Sequence, residues 1–200
     1  GLALIGGLFT PAEATHIGCG AILGPGGHFV LDSDVGPCPG PDPAITVGGA
    51  ILDMATFKVS CDPTVLFGTG ILLQGPKAVV KNGEVMHCAA GFESHGGNNT
   101  LKGNHAHDNF DTGFRVFDSH NTLIHNSGDA NVNSGFDIVG DANTLAHNLA
   151  DGNSGDGFVI SGSRNKLQID NIATNNGDDG FQVNGGNNKL IHNSSNDNAD

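Results

Sequence analysis

The sequence predicts an all-β solenoid in which short parallel strands stack coil upon coil, with about 22 residues in each coil. Three observations predict it. The pair Gly-Phe recurs at intervals of 22, 22, 22 and 23 residues. Asparagines recur in three further columns of the same register, and the apolar stretches between them are too short for helices. The composition agrees, since 32 glycines and 14% charged residues are unlike an ordinary helical domain.

Each predicted coil contains three short strands separated by polar turns. The first strand carries a phenylalanine column at Phe92, Phe114, Phe136, Phe158 and Phe181. The second strand carries a leucine column at Leu101, Leu123, Leu145, Leu167 and Leu190. The asparagine columns run from Asn99, Asn104 and Asn109 to Asn188, Asn193 and Asn198. Stacking buries the apolar columns and places the asparagines at the bends, where their amides can bond between coils.

The extra residue of the fourth unit falls between Leu167 and Asn171. Because turns tolerate insertions better than strands do, we expect this residue in a turn that leaves the stacking register intact. The glycine before each Phe predicts a corner that needs a positive φ angle or a close approach of the backbone.

The N-terminus predicts a remnant of a secretory signal peptide over residues 1–14. Residues 2–9 are apolar but far shorter than the roughly 20 residues of a membrane span. They are followed by Pro11 and Ala12-Glu13-Ala14, a small-x-small pattern with cleavage expected after Ala14. The β-helical domain then covers residues 15–200, with regular coils from about residue 70, in a protein that is secreted or on the cell surface. The alternative is an ordinary N-terminal helix that caps the domain.

Four cysteines, an even number in a chain that looks exported, favour disulfides over free thiols. A bond from Cys19 to Cys38 would close the segment before the first regular strands, and Cys61 could then meet Cys88. Buried free thiols are the alternative. The chain has no CxxC pair and no cysteine-histidine spacing typical of structural zinc.

The net charge of the chain restricts the kinds of partner that it can bind. With 21 acidic and 8 basic side chains the net charge is −13, which opposes binding to a phosphate backbone or an anionic membrane. We therefore expect no nucleic-acid partner, and no segment has the length of a membrane span. The last coil ends without a cap, which predicts that the natural chain continues or that coils associate end to end.

The units resemble the PbH1 repeats of right-handed parallel β-helix proteins in the pectin-lyase-like superfamily. Gly-Ile-Leu-Leu at 70–73 and Val-Val-Lys-Asn-Gly at 79–83 are similar to an earlier coil of that family, and the resemblance covers roughly residues 19–200. It implies a secreted, single-stranded β-helix that binds or processes a polysaccharide, as a lyase, hydrolase or epimerase, along an exposed strand groove. Because the superfamily includes proteins without known chemistry, the alternative is a non-catalytic extracellular structural or adhesion module.

The position after each repeat Phe predicts a column of outward side chains that includes Glu93, Arg115 and Asp137. Arg115 between two carboxylates resembles the groove strand of uronate-cleaving relatives, which implies that these three residues are catalytic. The alternative is a surface ionic ladder that stabilises by about 0.2 to 1 kcal/mol per pair. No aromatic platform for sugar stacking is expected, because every aromatic residue is Phe and most repeat Phe are predicted inside.

Four aspartates before the Phe strands are candidate metal ligands: Asp111, Asp156, Asp178 and Asp179. Stacking would bring them close, and oxygen-rich clusters suit Ca²⁺, so calcium is the predicted cofactor. Asp178 and Asp179 also resemble the paired aspartates of polygalacturonase-like hydrolases, but the rest of that signature is missing. Turn formation is the alternative role, since Asp is a common turn residue.

A partial histidine column forms at His125, His147 and His192. Imidazoles on one face can bind a transition metal. His147 and His192 lie two coils apart, which favours a solvated surface over a three-ligand site.

Overall fold

The computed structural model describes residues 14–66 and 68–200, and this part of the chain contains 25 short strands and no helix. The predicted all-β solenoid is confirmed. The predicted signal-peptide remnant lies outside the described residues except for Ala14, which begins the first strand. No helix long and apolar enough to cross a membrane occurs in the described residues.

The strands form three parallel sheets, and each coil contributes one strand to each sheet. The Leu sheet carries the leucine column and consists of β1 (Ala14–Thr15), β3 (His28–Leu31), β6 (Ile51–Asp53), β9 (Val79–Lys81), β12 (Thr100–Lys102), β15 (Thr122–Ile124), β18 (Thr144–Ala146), β21 (Lys166–Gln168) and β24 (Lys189–Ile191). The Phe sheet carries the phenylalanine column and consists of β2 (Ala21–Leu23), β5 (Ile45–Val47), β8 (Thr69–Gln74), β11 (Ala90–His95), β14 (Phe114–Val116), β17 (Phe136–Ile138), β20 (Phe158–Ser161) and β23 (Phe181–Asn184). The third sheet consists of β4 (Val35–Cys38), β7 (Lys58–Cys61), β10 (Glu84–Met86), β13 (His105–His107), β16 (Ser127–Asp129), β19 (Leu149–Asp151), β22 (Ile172–Thr174) and β25 (Ser194–Asn196).

The phenylalanine column forms a continuous stack of rings inside the solenoid. Consecutive ring centroids are 4.7 to 4.9 Å apart with interplanar angles of 2° to 8°. The four rings from Phe92 to Phe158 are fully buried. This spacing is the distance between neighbouring strands of a sheet, so an exact repeat converts directly into a stacked core.

The asparagines form hydrogen-bonded ladders at the corners. In the third column, Asn131 Nδ2 donates to Asn153 Oδ1 at 3.0 Å, and Asn153 Nδ2 donates to Asn176 Oδ1 at 2.9 Å. The same amides also bond the backbone, since Asn153 Nδ2 donates to the Gly128 carbonyl. These bonds satisfy polar groups that the stacking removes from water.

The glycine before each Phe is required by close approach. A Cβ built on Gly135 would lie 2.8 Å from Ala150 Cβ and 2.9 Å from Asn153 Nδ2. The alternative in the prediction, a positive φ angle, does not apply at Gly135.

The inserted residue lies in a turn, as expected. Ile169 and Asp170 both have positive φ, and their N–H groups still bond to carbonyls of the next coil. Leu167 therefore stays paired with Leu190. Both predicted disulfides, Cys19–Cys38 and Cys61–Cys88, are present.

Candidate functional site

The outward face of the Phe sheet brings the three predicted catalytic residues together. In β14, Phe114 and Val116 are buried, so the alternation of the strand directs Arg115 outward. The register pairs Glu93 of β11 with Arg115, and Arg115 with Asp137 of β17. The predicted column is therefore real, and it crosses three adjacent strands.

Arg115 contacts two aspartates and a threonine. Its Nη2 donates to Asp111 Oδ2 at 2.6 Å and to Thr112 Oγ1 at 3.2 Å, while its Nε lies 3.7 Å from Asp137 Oδ2. Among the described residues, no ion pair joins Arg115 to Glu93. The guanidinium thus contacts Asp137 on the neighbouring strand β17 and Asp111 and Thr112 in the turn before β14. Asp111, a predicted metal ligand, is therefore a partner of Arg115.

The two aspartates around Arg115 have opposite pKa shifts. Burial raises the pKa of Asp137, the charge of Arg115 opposes this shift, and the negative charge of Asp111 adds to it. Burial also raises the pKa of Asp111, but hydrogen bonds from Arg115 and Asn133 outweigh it and leave the pKa below its ordinary value. Of these two carboxyl groups, Asp137 therefore keeps a proton more readily.

His95 and Phe117 form an exposed stacked pair that the sequence prediction missed. Their ring centroids are 4.7 Å apart with an interplanar angle of 28°, and Phe117 is 39% exposed. His95 Nε2 also lies within hydrogen-bond distance of Glu93 Oε1. The expectation that no aromatic platform exists is wrong, because the strand alternation that directs Arg115 outward also directs the side chain two residues later outward. Counting three positions beyond each column Phe would have found both residues.

The four predicted metal ligands do not form one cluster. Both oxygens of Asp111 are engaged, Oδ2 by Arg115 and Oδ1 by Asn133 Nδ2 at 3.0 Å. Asp156 is buried, and its Oδ1 accepts the N–H of Asp179 at 3.0 Å. Burial raises the pKa of Asp156, the Asp179 N–H opposes this, and the charges of Asp178 and Asp179 add to it.

These contacts fit calcium poorly. Within residues 14–66 and 68–200, no three side chains of His, Cys, Asp or Glu are arranged to hold a metal ion. Asp111 already has a cation, the Arg115 guanidinium, at the place where calcium would bind. The calcium prediction therefore receives no support from this geometry and stays a prediction for Asp156, Asp178 and Asp179.

The histidine column lies in a turn. The rings of His125 and His147 stack with centroids 4.7 Å apart, and all three column members have positive φ. His147 Nδ1 lies 3.9 Å from Asp170 Oδ2, in the turn with the inserted residue. The three histidines therefore line the surface of a turn, where the rings of His125 and His147 stack.

Comparison with known families agrees with this architecture. A family model described as a right handed beta helix region matches residues 60–196. The chain belongs to the right-handed β-helix family. The superfamily resemblance seen in the repeats is thereby confirmed for the fold. A search of curated proteins finds no match to this sequence.

Solved structures share the β-helix at low sequence identity. The A-module of the mannuronan C-5 epimerase AlgE4 from Azotobacter vinelandii matches with a TM-score of 0.63 and 15% identity, over 91% of this chain and 68% of that one. Pectate lyase Pel9A matches with a TM-score of 0.50 and 21% identity, over 87% of this chain and 52% of that one. The Dettilon tailspike protein matches with a TM-score of 0.51 and 11% identity, over 88% of this chain and 53% of that one. This β-helix spans about half the length of the last two chains.

Proposed function

We propose that the outward face of the Phe sheet binds a polysaccharide and processes it there. The observation that carries the proposal is the stacked pair of His95 and Phe117 beside the column of Glu93, Arg115 and Asp137. A sugar ring presents an apolar face, which packs against an aromatic side chain, and hydroxyl groups, which bond to carboxylates and guanidinium groups. This face offers both kinds of partner on adjacent strands.

The regular spacing of the strands favours an extended ligand. Parallel strands about 4.8 Å apart present equivalent positions along the whole solenoid, so a polymer can contact several coils. The charged column and the aromatic pair occupy neighbouring rows of the same face. A chain of sugars lying along the solenoid axis would contact both rows.

The charge of the face favours a neutral polysaccharide. Asp111 and Asp137 contact the Arg115 guanidinium, Glu93 lies on the neighbouring strand, and the protein carries a net charge of −13. A uronate polymer would be repelled unless a cation bridged it to the protein. Arg115 is engaged by two aspartates, so its suggested role is to position Asp137.

The proposed chemistry is hydrolysis of a glycosidic bond. Asp137 donates a proton to the oxygen of the bond that breaks, and Glu93 accepts a proton from the water molecule that attacks the sugar carbon. Asp137 has the raised pKa, and Glu93 is held by His95. The two strands are separated by β14, which places their backbones about 10 Å apart. Pairs of carboxyl groups that act across a glycosidic bond through a water molecule are roughly 6.5 to 9.5 Å apart, and flexible side chains can reach that separation from this spacing.

Two further observations support the proposal. The epimerase and the pectate lyase that share the fold act on mannuronan and pectate, which are polysaccharides. Two disulfides suit an oxidising environment, so the proposal includes an extracellular location, where such polymers occur.

A polysaccharide screen tests this proposal. Neutral and acidic polymers are incubated with the protein, with and without Ca²⁺, while reducing ends and ultraviolet-absorbing unsaturated products are measured. Binding is followed by affinity electrophoresis. We expect Phe117→Ala to weaken binding roughly tenfold, because one stacked sugar contact is lost. Ile172→Ala, a similarly exposed residue on the third sheet, should leave binding unchanged.

The outcomes separate the parts of the proposal. Products that disappear in Asp137→Asn, with binding retained, support the assigned chemistry. Binding without any product supports the non-catalytic alternative and overturns the chemistry. No binding to any polymer overturns the whole proposal. A rise in melting temperature with Ca²⁺ that is lost in Asp178→Asn would support the calcium prediction, and no rise would contradict it.

A further inference from the structure

A cleft of about 520 Å³ lies away from the Phe sheet, at the corner between the Leu sheet and the third sheet. Its polar side chains are Asp53, Thr56, Asn82, Glu84 and His105, and Gly83 and Gly103 form part of its wall. Ligand sites in proteins commonly have volumes in the range of about 300 to 1,000 Å³. The cleft uses none of the residues assigned to the Phe-sheet face.

His105 is oriented by a carboxylate. Its Nε2 lies 2.8 Å from Asp129 Oδ2, and Ser127 Oγ donates to the same carboxylate at 2.8 and 2.9 Å. An ionised carboxylate only accepts hydrogen bonds, so Nε2 carries the hydrogen and Nδ1 of the neutral ring carries the lone pair. No described residue donates to this Nδ1.

Glu84 is held by a lysine and a histidine. Its Oε1 accepts hydrogen bonds from Lys58 Nζ and His107 Nε2, both at 2.8 Å. His107 Nδ1 bonds to Asp108, so both ring nitrogens face carboxylates. Burial lowers the pKa of His107, but these bonds outweigh it and raise the pKa above its ordinary value. Glu84 is thereby fixed as a carboxylate, and its Oε2 receives no hydrogen bond within the described chain.

A third acceptor completes the set. Asn82 Nδ2 donates to Asp53 Oδ1 at 3.1 Å, which leaves Asn82 Oδ1 without a donor among the described residues. Asp53 itself is satisfied by the Ala55 N–H and by Lys81. The residues of the cleft thus include three acceptors without a donor among the described residues, Asn82 Oδ1, Glu84 Oε2 and His105 Nδ1, beside the Thr56 hydroxyl, which can donate or accept.

We propose that this cleft is a second binding site, for a neutral sugar unit whose adjacent hydroxyl groups donate to Asn82, Glu84 and His105. Hydroxyl groups suit these three acceptors because each hydroxyl donates one hydrogen bond. The two carboxylates of the cleft lining are each paired with a lysine, Asp53 with Lys81 and Glu84 with Lys58. A neutral ligand therefore fits better than a charged one. The site is independent of the function proposed for the Phe sheet.

Nuclear magnetic resonance tests the proposal with the intact chain. The probes are cellobiose, maltose, lactose and mannobiose, with digalacturonate and the glucosamine dimer as charged counterparts. We expect a neutral disaccharide to shift the backbone amide signals of Ala55, Gly83 and Gly103. His105→Ala should weaken this binding about tenfold, the effect of losing one good hydrogen bond. His192→Ala, an exposed histidine several coils away, is the matched control and should not change it.

A second variant is designed to fill the cleft, since a Cβ at Gly103 would lie 3.3 Å from Asn82 Oδ1. Gly103 occupies the turn position that His125 and His147 occupy in the next coils, all with positive φ. Gly103→His should therefore fold, stack on His125 and block the cleft. An unchanged circular dichroism spectrum with loss of disaccharide binding is the expected result.

The positions of the shifted amide signals distinguish binding in the cleft from binding on the Phe sheet. Shifts at Ala55, Gly83 and Gly103 support the cleft even if the polysaccharide screen is negative. Shifts confined to amides near Glu93 and Phe117 overturn the cleft and leave the Phe-sheet proposal standing. Binding of only the charged dimers overturns the ligand class, and no shift with any probe overturns the proposal.

Discussion

The early coils and the regular coils hold the same corner of the solenoid by different means. From Asn109 onward, the corner after the third sheet carries an asparagine ladder. In the preceding coils the same corner carries Cys88 and Cys61, which are joined by a disulfide. The ladder begins where the disulfide ends, since Asn109 Oδ1 accepts the N–H of Cys88 at 3.1 Å. A repeated hydrogen bond needs identical neighbours above and below, whereas a covalent bond holds two irregular coils together without them.

The core shows the same contrast. The regular coils stack identical phenylalanine rings, while the early coils fill the equivalent positions with the aliphatic side chains Ile45 and Ile71. The register between Val35 and Cys38 of β4 and their partners in β7 also shifts. Where the repeat is inexact, stacking contributes less specificity, and the disulfides Cys19–Cys38 and Cys61–Cys88 lie in that part of the chain.

The largest expected effect is the loss of one ladder member. Asn153→Ala removes the acceptor of Asn131 and the donor to the Gly128 carbonyl and to Asn176, all at a buried site. Leaving buried groups unpaired costs about 1 to 3 kcal/mol each, so we expect a loss of roughly 3 to 5 kcal/mol. Urea unfolding measures it. Asn184→Ala, at an exposed position, should cost about 0.5 kcal/mol or less. Equal costs for the two variants would contradict the structural role of the ladder.

Removal of the disulfide at the same corner should have a smaller and more local effect. We expect the double variant Cys61→Ser and Cys88→Ser to lose about 2 to 4 kcal/mol, because the unfolded chain gains freedom. Hydrogen exchange should show faster opening of residues 45–88, while residues 113–198 keep their protection. Uniform loss of protection along the whole solenoid would show that the two regions unfold as one unit.

The smallest expected effect is a difference in pH dependence. In the early coils the pKa values of Asp53 and Glu84 are lowered, since hydrogen bonds from lysines outweigh the effect of burial. Groups with lowered pKa stabilise above their ordinary pKa, and this stability is lost as pH falls through the folded value. In the regular coils Asp111 also has a lowered pKa, but burial raises the pKa of Asp137 and Asp156, so acidification from pH 6 toward about 4 relieves a cost at these two groups.

Melting temperatures between pH 6 and pH 3 test this difference. We expect a small rise in the wild type on going from pH 6 toward about 4, followed by a fall at lower pH. The rise should disappear when Asp137 and Asp156 are both changed to Asn. Persistence of the rise in that double variant would contradict the assignment to these two carboxyl groups.

The columns of the repeat were predictable because they depend only on which residue type recurs at the interval of the repeat. Any residue that recurs every 22 positions in a parallel stack must lie above its equivalent, so the Phe stack, the asparagine ladders and the pairing of Glu93, Arg115 and Asp137 followed from counting. The turn position of the inserted residue also followed, because the apolar columns on either side keep their spacing. The two disulfides were anticipated from the same order of coils.

Contacts between unlike residues were not predictable in this way. The engagement of Arg115 with Asp111 depends on how the turn before β14 folds back onto the strand. The stacking of His95 on Phe117 joins two different side chains of one row, which a search for identical residues does not detect. The cleft at Glu84 and His105 combines a corner of one sheet with the outward face of another.

The sequence by itself determined the solenoid, its register and the buried columns, because a strict repeat leaves one way to bury Phe and Leu while the asparagine columns bond between coils. Only the tertiary structure decided which outward groups meet. Outward side chains are free of the core, so their contacts depend on turn geometry and on the length of each side chain. For that reason the contacts of Arg115 and Phe117 on the Phe-sheet face, and the cleft at Glu84 and His105, became visible only in three dimensions.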